Sequence, residues 1–77
     1  MERIQYEGYV IEERTVQLRD TGRWTLAINL WRDSGDETVV RQFSSATTFA
    51  TRDEAVRHCI NFGRQIIGGK IKGCTAP

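Results

Sequence analysis

The stretch Trp24-Thr25-Leu26-Ala27-Ile28-Asn29-Leu30-Trp31 decides how this chain reads. Side chains alternate across a strand, so Trp24, Leu26, Ile28 and Leu30 share one face. Thr25, Ala27, Asn29 and Trp31 share the other. Downstream, Asp33-Ser34-Gly35-Asp36 is a turn signal, and Thr38-Val39-Val40-Arg41-Gln42-Phe43 is rich in β-forming residues. The short link between these two runs predicts an antiparallel hairpin.

Upstream, Asp20-Thr21-Gly22 marks a turn, and Thr15 to Leu18 reads as a short second strand. Ile4 to Glu12 alternates well enough for a first strand, with Gly8 signalling a bulge or a close backbone approach. Glu12-Glu13-Arg14 reads as a polar connector whose acids are solvated.

After Phe43 the texture changes. Ser44 to Thr48 is a small polar loop, and Thr51 and Glu54 have capping-box spacing. The helix that follows, about 52–67, lines up Ala55, Val56, Cys59, Ile60, Gly63, Ile66 and Ile67 on one stripe. Asp53–Arg57 and Glu54–His58 are i,i+4 pairs on its outer side, and Gly68-Gly69 ends it. The prediction is a small α+β domain over 1–73, with 74–77 a flexible tail. It is an antiparallel meander of three to four strands with one C-terminal helix on one face.

Composition narrows the function classes. Seventy-seven residues make one domain, with 39% apolar and 27% charged residues against disorder. No window approaches the ~20 apolar residues of a membrane span. The opening Met-Glu-Arg-Ile-Gln-Tyr-Glu carries charge where a secretory leader is apolar, so a cytoplasmic location is expected, away from membranes. Two cysteines are too few for a disulfide framework. The formal charge of +1 hides an asymmetry. Residues 1–54 hold ten acids and seven arginines, whereas 55–77 hold Arg57, Arg64, Lys70 and Lys72 and no acid. Such a basic end either complements the helix dipole or forms a pole for phosphate or an acidic partner.

No catalytic machinery is visible, and no enzyme, metal or cofactor is expected. The single histidine, His58, reads as a surface partner of Glu54. Cys59 falls on the apolar stripe as a core residue, and Cys74 is expected exposed. Gly63-Arg64-Gln65-Ile66-Ile67-Gly68-Gly69-Lys70 follows a helix rather than opening one, so its amides would not converge on a phosphate. Trp24 and Trp31 lie on opposite faces of one strand, and a single helix covers only one face. Trp31, or Trp24 if the faces are reversed, is then left for a dimer interface across the open sheet, or for cover by arginine stems.

Gly8-Tyr9-Val10, Gly22-Arg23-Trp24, Phe49-Ala50-Thr51-Arg52-Asp53-Glu54-Ala55 and the run from Gly63 to Gly68 together resemble a group of short uncharacterised bacterial and prophage proteins. That resemblance covers most of the chain and implies a fold without an activity. Over about residues 22–62, Gly-Arg-Trp, a turn, a strand ending in Phe and Phe-x-Thr-x-x-Glu-Ala are similar to the APETALA-type and phage integrase arm-type DNA-binding domains. Those are three strands plus a helix that read DNA with the sheet. The likeness implies Arg23, Thr25, Asn29 and Arg41 as sheet-face readers. The cations of 55–77 would add phosphate contacts. The chain departs from that pattern: residues 15–43 hold four arginines and four acids, and Tyr6 to Leu18 adds strand material. The leading expectation is a non-enzymatic binding or accessory module that self-associates as a dimer and takes an unknown protein partner. The alternative is a sheet-type DNA-binding or regulatory protein of bacterial or phage origin.

Overall fold

A computed structural model describes residues 2–77. Its elements are β1 (Arg3–Tyr6), β2 (Tyr9–Glu13), β3 (Trp24–Ser34), β4 (Glu37–Phe49) and α1 (Arg52–Ile67). The strands form one antiparallel sheet in the order β1-β2-β3-β4, with α1 packed on one face, chiefly against β2 and β3. This is the α+β arrangement predicted. The alternation of β3 sets its faces: Leu26, Ile28 and Leu30 are buried with Ile11, Phe49, Ala55, Cys59 and Ile66. Helix and sheet approach closely where α1 carries Gly63. A methyl group there would lie 2.6 Å from Cγ2 of Ile11.

Both ends of α1 follow the local code. Thr51 is extended, and its hydroxyl accepts the Glu54 amide at 3.2 Å, the first half of a capping box. At the other end Gly69 takes φ +71. The Lys70 amide then donates to Gln65 and the Gly69 amide to Ile66, the two bonds of a Schellman motif. The outer-face pairs differ from expectation. Among the described residues the ion pairs are Arg3–Glu12, Arg14–Glu12 and Arg52–Glu13. His58 instead stacks on Phe49, with ring centroids 4.5 Å apart.

The sheet corrects four readings. Ile4 to Glu12 is not one strand: Glu7 and Gly8 have φ +49 and +84 and form a two-residue turn joining β1 to β2. Positive φ at both central positions matches the twist of a tight hairpin, and Gly supplies one of them freely. Glu12 and Glu13 are not solvated connector acids. They end β2, at 2% and 1% exposure. Thr15 to Leu18 contributes only a single bridge, Gln17 to Trp24, so it is an extended arm rather than a strand. Ser44 to Thr48 is no loop. β4 continues through it to Phe49, because a bulge opposite Thr25 and Leu26 absorbs the extra residues.

Residues 74–77, read as a flexible tail, lie back on the helix side of the sheet. Arg41 Nη1 donates to the Thr75 carbonyl at 2.8 Å and Tyr9 Oη to that of Pro77 at 2.8 Å. Cys74 is accordingly half-buried rather than exposed.

Candidate binding face

The face of the sheet opposite α1 is built by register. Val10 pairs with Trp31 and Trp31 with Val40, so one apolar row crosses β2, β3 and β4. The next row is polar: Arg3 opposes Glu12, Glu12 opposes Asn29, and Asn29 opposes Gln42. No helix covers this row, yet Glu12 is 2% exposed and Asn29 4%. Their cover comes from within the face. Arg3 Nε and Nη2 both reach Glu12 Oε2 at 2.6 Å, and Arg14 Nη1 stands 3.9 Å from Oε1. Asn29 Nδ2 donates to Oε1 at 3.1 Å. Burial by itself raises the Glu12 pKa. The Asn29 and Arg3 hydrogen bonds and the two guanidinium charges outweigh it and hold the carboxyl below its ordinary range.

Trp31 borders this cluster, half-buried, with its indole N–H enclosed and without a hydrogen-bond partner. A concave pocket of about 590 Å³ opens beside it, lined by Arg3, Gln5, Val10, Trp31, Asp33 and Thr38 among others. Asp33 there accepts the Thr38 hydroxyl at 2.8 Å. An aromatic floor, aliphatic neighbours and a polar rim form a surface suited to binding.

The residues predicted as nucleic-acid readers do not come together. Thr25 and Asn29 lie on the open face, but Thr25 Oγ1 accepts the Val16 amide and Asn29 is spent on Glu12. Arg41 pairs with Leu30 and so lies on the helix side, where it binds the 74–77 segment. Arg23 clamps the end of β4, with Nε to the Thr48 hydroxyl at 2.7 Å and Nη2 to its carbonyl at 2.9 Å. Arg57 and Arg64 belong to α1, Arg64 sitting 5.6 Å from the centre of the Tyr6 ring, and Lys70 and Lys72 are exposed beyond it. Family models, curated proteins and solved structures offer no match to this chain. The face itself therefore carries the functional reading.

Among the described residues no group of three or more His, Cys, Asp or Glu could hold a metal ion, and no helix is long and apolar enough to cross a membrane. Sequence reading placed Trp31 but missed the Arg3–Glu12–Asn29 cluster. One signal for it exists. Folding the chain at Glu7-Gly8 sets residue 3 opposite residue 12, an opposite-charge pair across a hairpin.

Proposed function

We propose that this chain is a non-enzymatic binding module whose docking surface is the open sheet face centred on Trp31, and that it self-associates through that face. The observation that carries this reading is the apolar row Val10–Trp31–Val40 left uncovered beside a concave pocket. Large aromatics in such a setting supply most of the energy of an interface. The Glu12 cluster in the next row of the same face supports the same reading: a carboxylate paired with Arg3 and Asn29 stiffens the strands that present Trp31.

The mass in solution, followed by light scattering over a concentration series, tests the proposal. The wild-type chain rises above 8.8 kDa, and Trp31→Ala lowers the mass at a given concentration. Equal masses for the two chains at every concentration defeat it. The DNA-binding alternative has weaker support, since its four sheet readers are divided between two faces and all four are already paired with protein groups. On this reading mixed-sequence duplex gives no complex at low salt. A complex that forms and then dissolves as salt rises would reinstate the alternative.

A further inference from the structure

β4 is the outer strand of the sheet. From Glu37 to Ser44 it pairs with β3, and among the described residues no other backbone hydrogen bond reaches it. Its outward N–H and C=O groups form an open ladder, the arrangement that accepts another strand. Two charged side chains, Glu37 and Arg41, mark this span, but the stronger devices that blunt such an edge are missing from it. It holds no proline and no lysine, and the bulge lies beyond it, between Ser45 and Thr48. Val39 and Val40 are 39% and 42% exposed here.

We propose that this edge pairs antiparallel with the same edge of a second copy of the chain. Charge selects both the occupant and the register. Between Glu37 and Ser44 the charged side chains are Glu37 and Arg41, which share one side of the strand. A two-fold axis at Val39 sets each Glu37 opposite the partner's Arg41 and Val39 opposite itself. Symmetry makes that two opposite-charge pairs. Moving the axis to Arg41 would face arginine with arginine, which repels. Arg41 gives one N–H to Thr75, and its remaining donors are available to a carboxylate. The product is a continuous sheet of eight strands, four from each copy, with both helices on one side and both Trp31 rows on the other. This surface is distinct from the Trp31 face and does not rest on it.

Light scattering on the full chain carrying Trp31→Ala isolates the edge, because association through the open face is then removed. The expected mass at high concentration is twice 8.8 kDa. Adding Glu37→Arg or Arg41→Glu weakens that dimer about tenfold or more, and adding both restores it. A Trp31→Ala chain that stays at 8.8 kDa overturns edge pairing while leaving the face reading intact. Single reversals without effect, or a double reversal without recovery, overturn it as well. A second measurement keeps Trp31 in place. With Cys74→Ser, Val39→Cys should oxidise to a covalent dimer, since directly opposed Cα atoms ~4.5–5.5 Å apart lie within the span of a disulfide. Val16→Cys, at a site 58% exposed but off the edge, should stay monomeric. Equal crosslinking at both sites, or none at Val39, refutes the pairing.

Discussion

Replacing Gly63 by alanine tests the packing that holds α1 on the sheet. The added methyl would lie 2.6 Å from Cγ2 of Ile11 and 3.0 Å from its Cγ1 and Cδ1. Ile11 has no exposed surface and a branched Cβ, so its χ1 is stiff and it has nowhere to turn. Overpacking of this kind costs ~1–3 kcal/mol, and a contact this short to a buried branched side chain belongs in the upper half of that range. Against it stands the gain of ~1 kcal/mol when alanine replaces glycine inside a helix. The net loss is therefore ~1–2 kcal/mol, out of a total of roughly 4–12 kcal/mol for a chain of this length. Urea unfolding followed by tryptophan fluorescence reads that loss as a lower midpoint at unchanged slope, and thermal unfolding as a fall of roughly 5–15 °C. Ile11→Ala removes all three clashing atoms. In the double variant the two losses should sum to less than their separate values. A Gly63→Ala chain as stable as the wild type, or more so, would show that Gly63 does not set the spacing of helix and sheet.

Acid should release the Glu12 cluster. The folded-state pKa of Glu12 lies below its unfolded value, so its stabilisation is full above the unfolded pKa and disappears as pH falls through the folded one, below about pH 5. Glu12→Gln should flatten that part of a pH series of urea midpoints, and an unchanged acid slope would contradict the assignment. Cys59 is sealed, its thiol pushed up first by burial, and donates to the Ala27 carbonyl at 3.4 Å. In native protein Cys74 should label with a thiol reagent well before Cys59, whose reaction waits for denaturant; equal rates would mean that the helix is not seated as described. Thr51→Ala removes the N-cap acceptor and should cost ~1 kcal/mol in thermal unfolding. Thr51→Ser, which keeps the hydroxyl, should cost much less, and equal losses would exclude the cap as the cause.

How much was legible depended on whether the deciding signal was local. The run from Trp24 to Trp31 reads correctly because alternation of side chains is enough to assign its two faces. The helix reads correctly because Thr51 and Gly68-Gly69 mark its ends in the sequence itself. Ile4 to Glu12 misleads because apolar residues on both sides of Gly8 fit a single strand as well as a hairpin. Only the positive φ of Glu7 and Gly8 in succession, uncommon for a residue with a side chain such as Glu7, separates the two. Ser44 to Thr48 looks like a loop by composition, yet pairing with β3 overrides that weak preference. The 74–77 segment is tied down through the main-chain carbonyls of Thr75 and Pro77, which every sequence presents, by side chains more than thirty residues away. No local pattern announces such a contact. The candidate face divides in the same way: Trp31 follows from alternation, whereas the Arg3–Glu12–Asn29 cluster needs the pairing of three strands.

Because the strands lie side by side in the order of the chain, the β1–β2 and β3–β4 hairpins can each close from a tight turn, and closing a short loop costs little chain entropy. The docking of α1 against β2 and β3 joins segments far apart in sequence. Folding is then expected to run as quick local pairing followed by one slower closure. The Cys59 thiol is covered by that last event, so the rate at which it becomes protected during refolding would time the arrival of the helix.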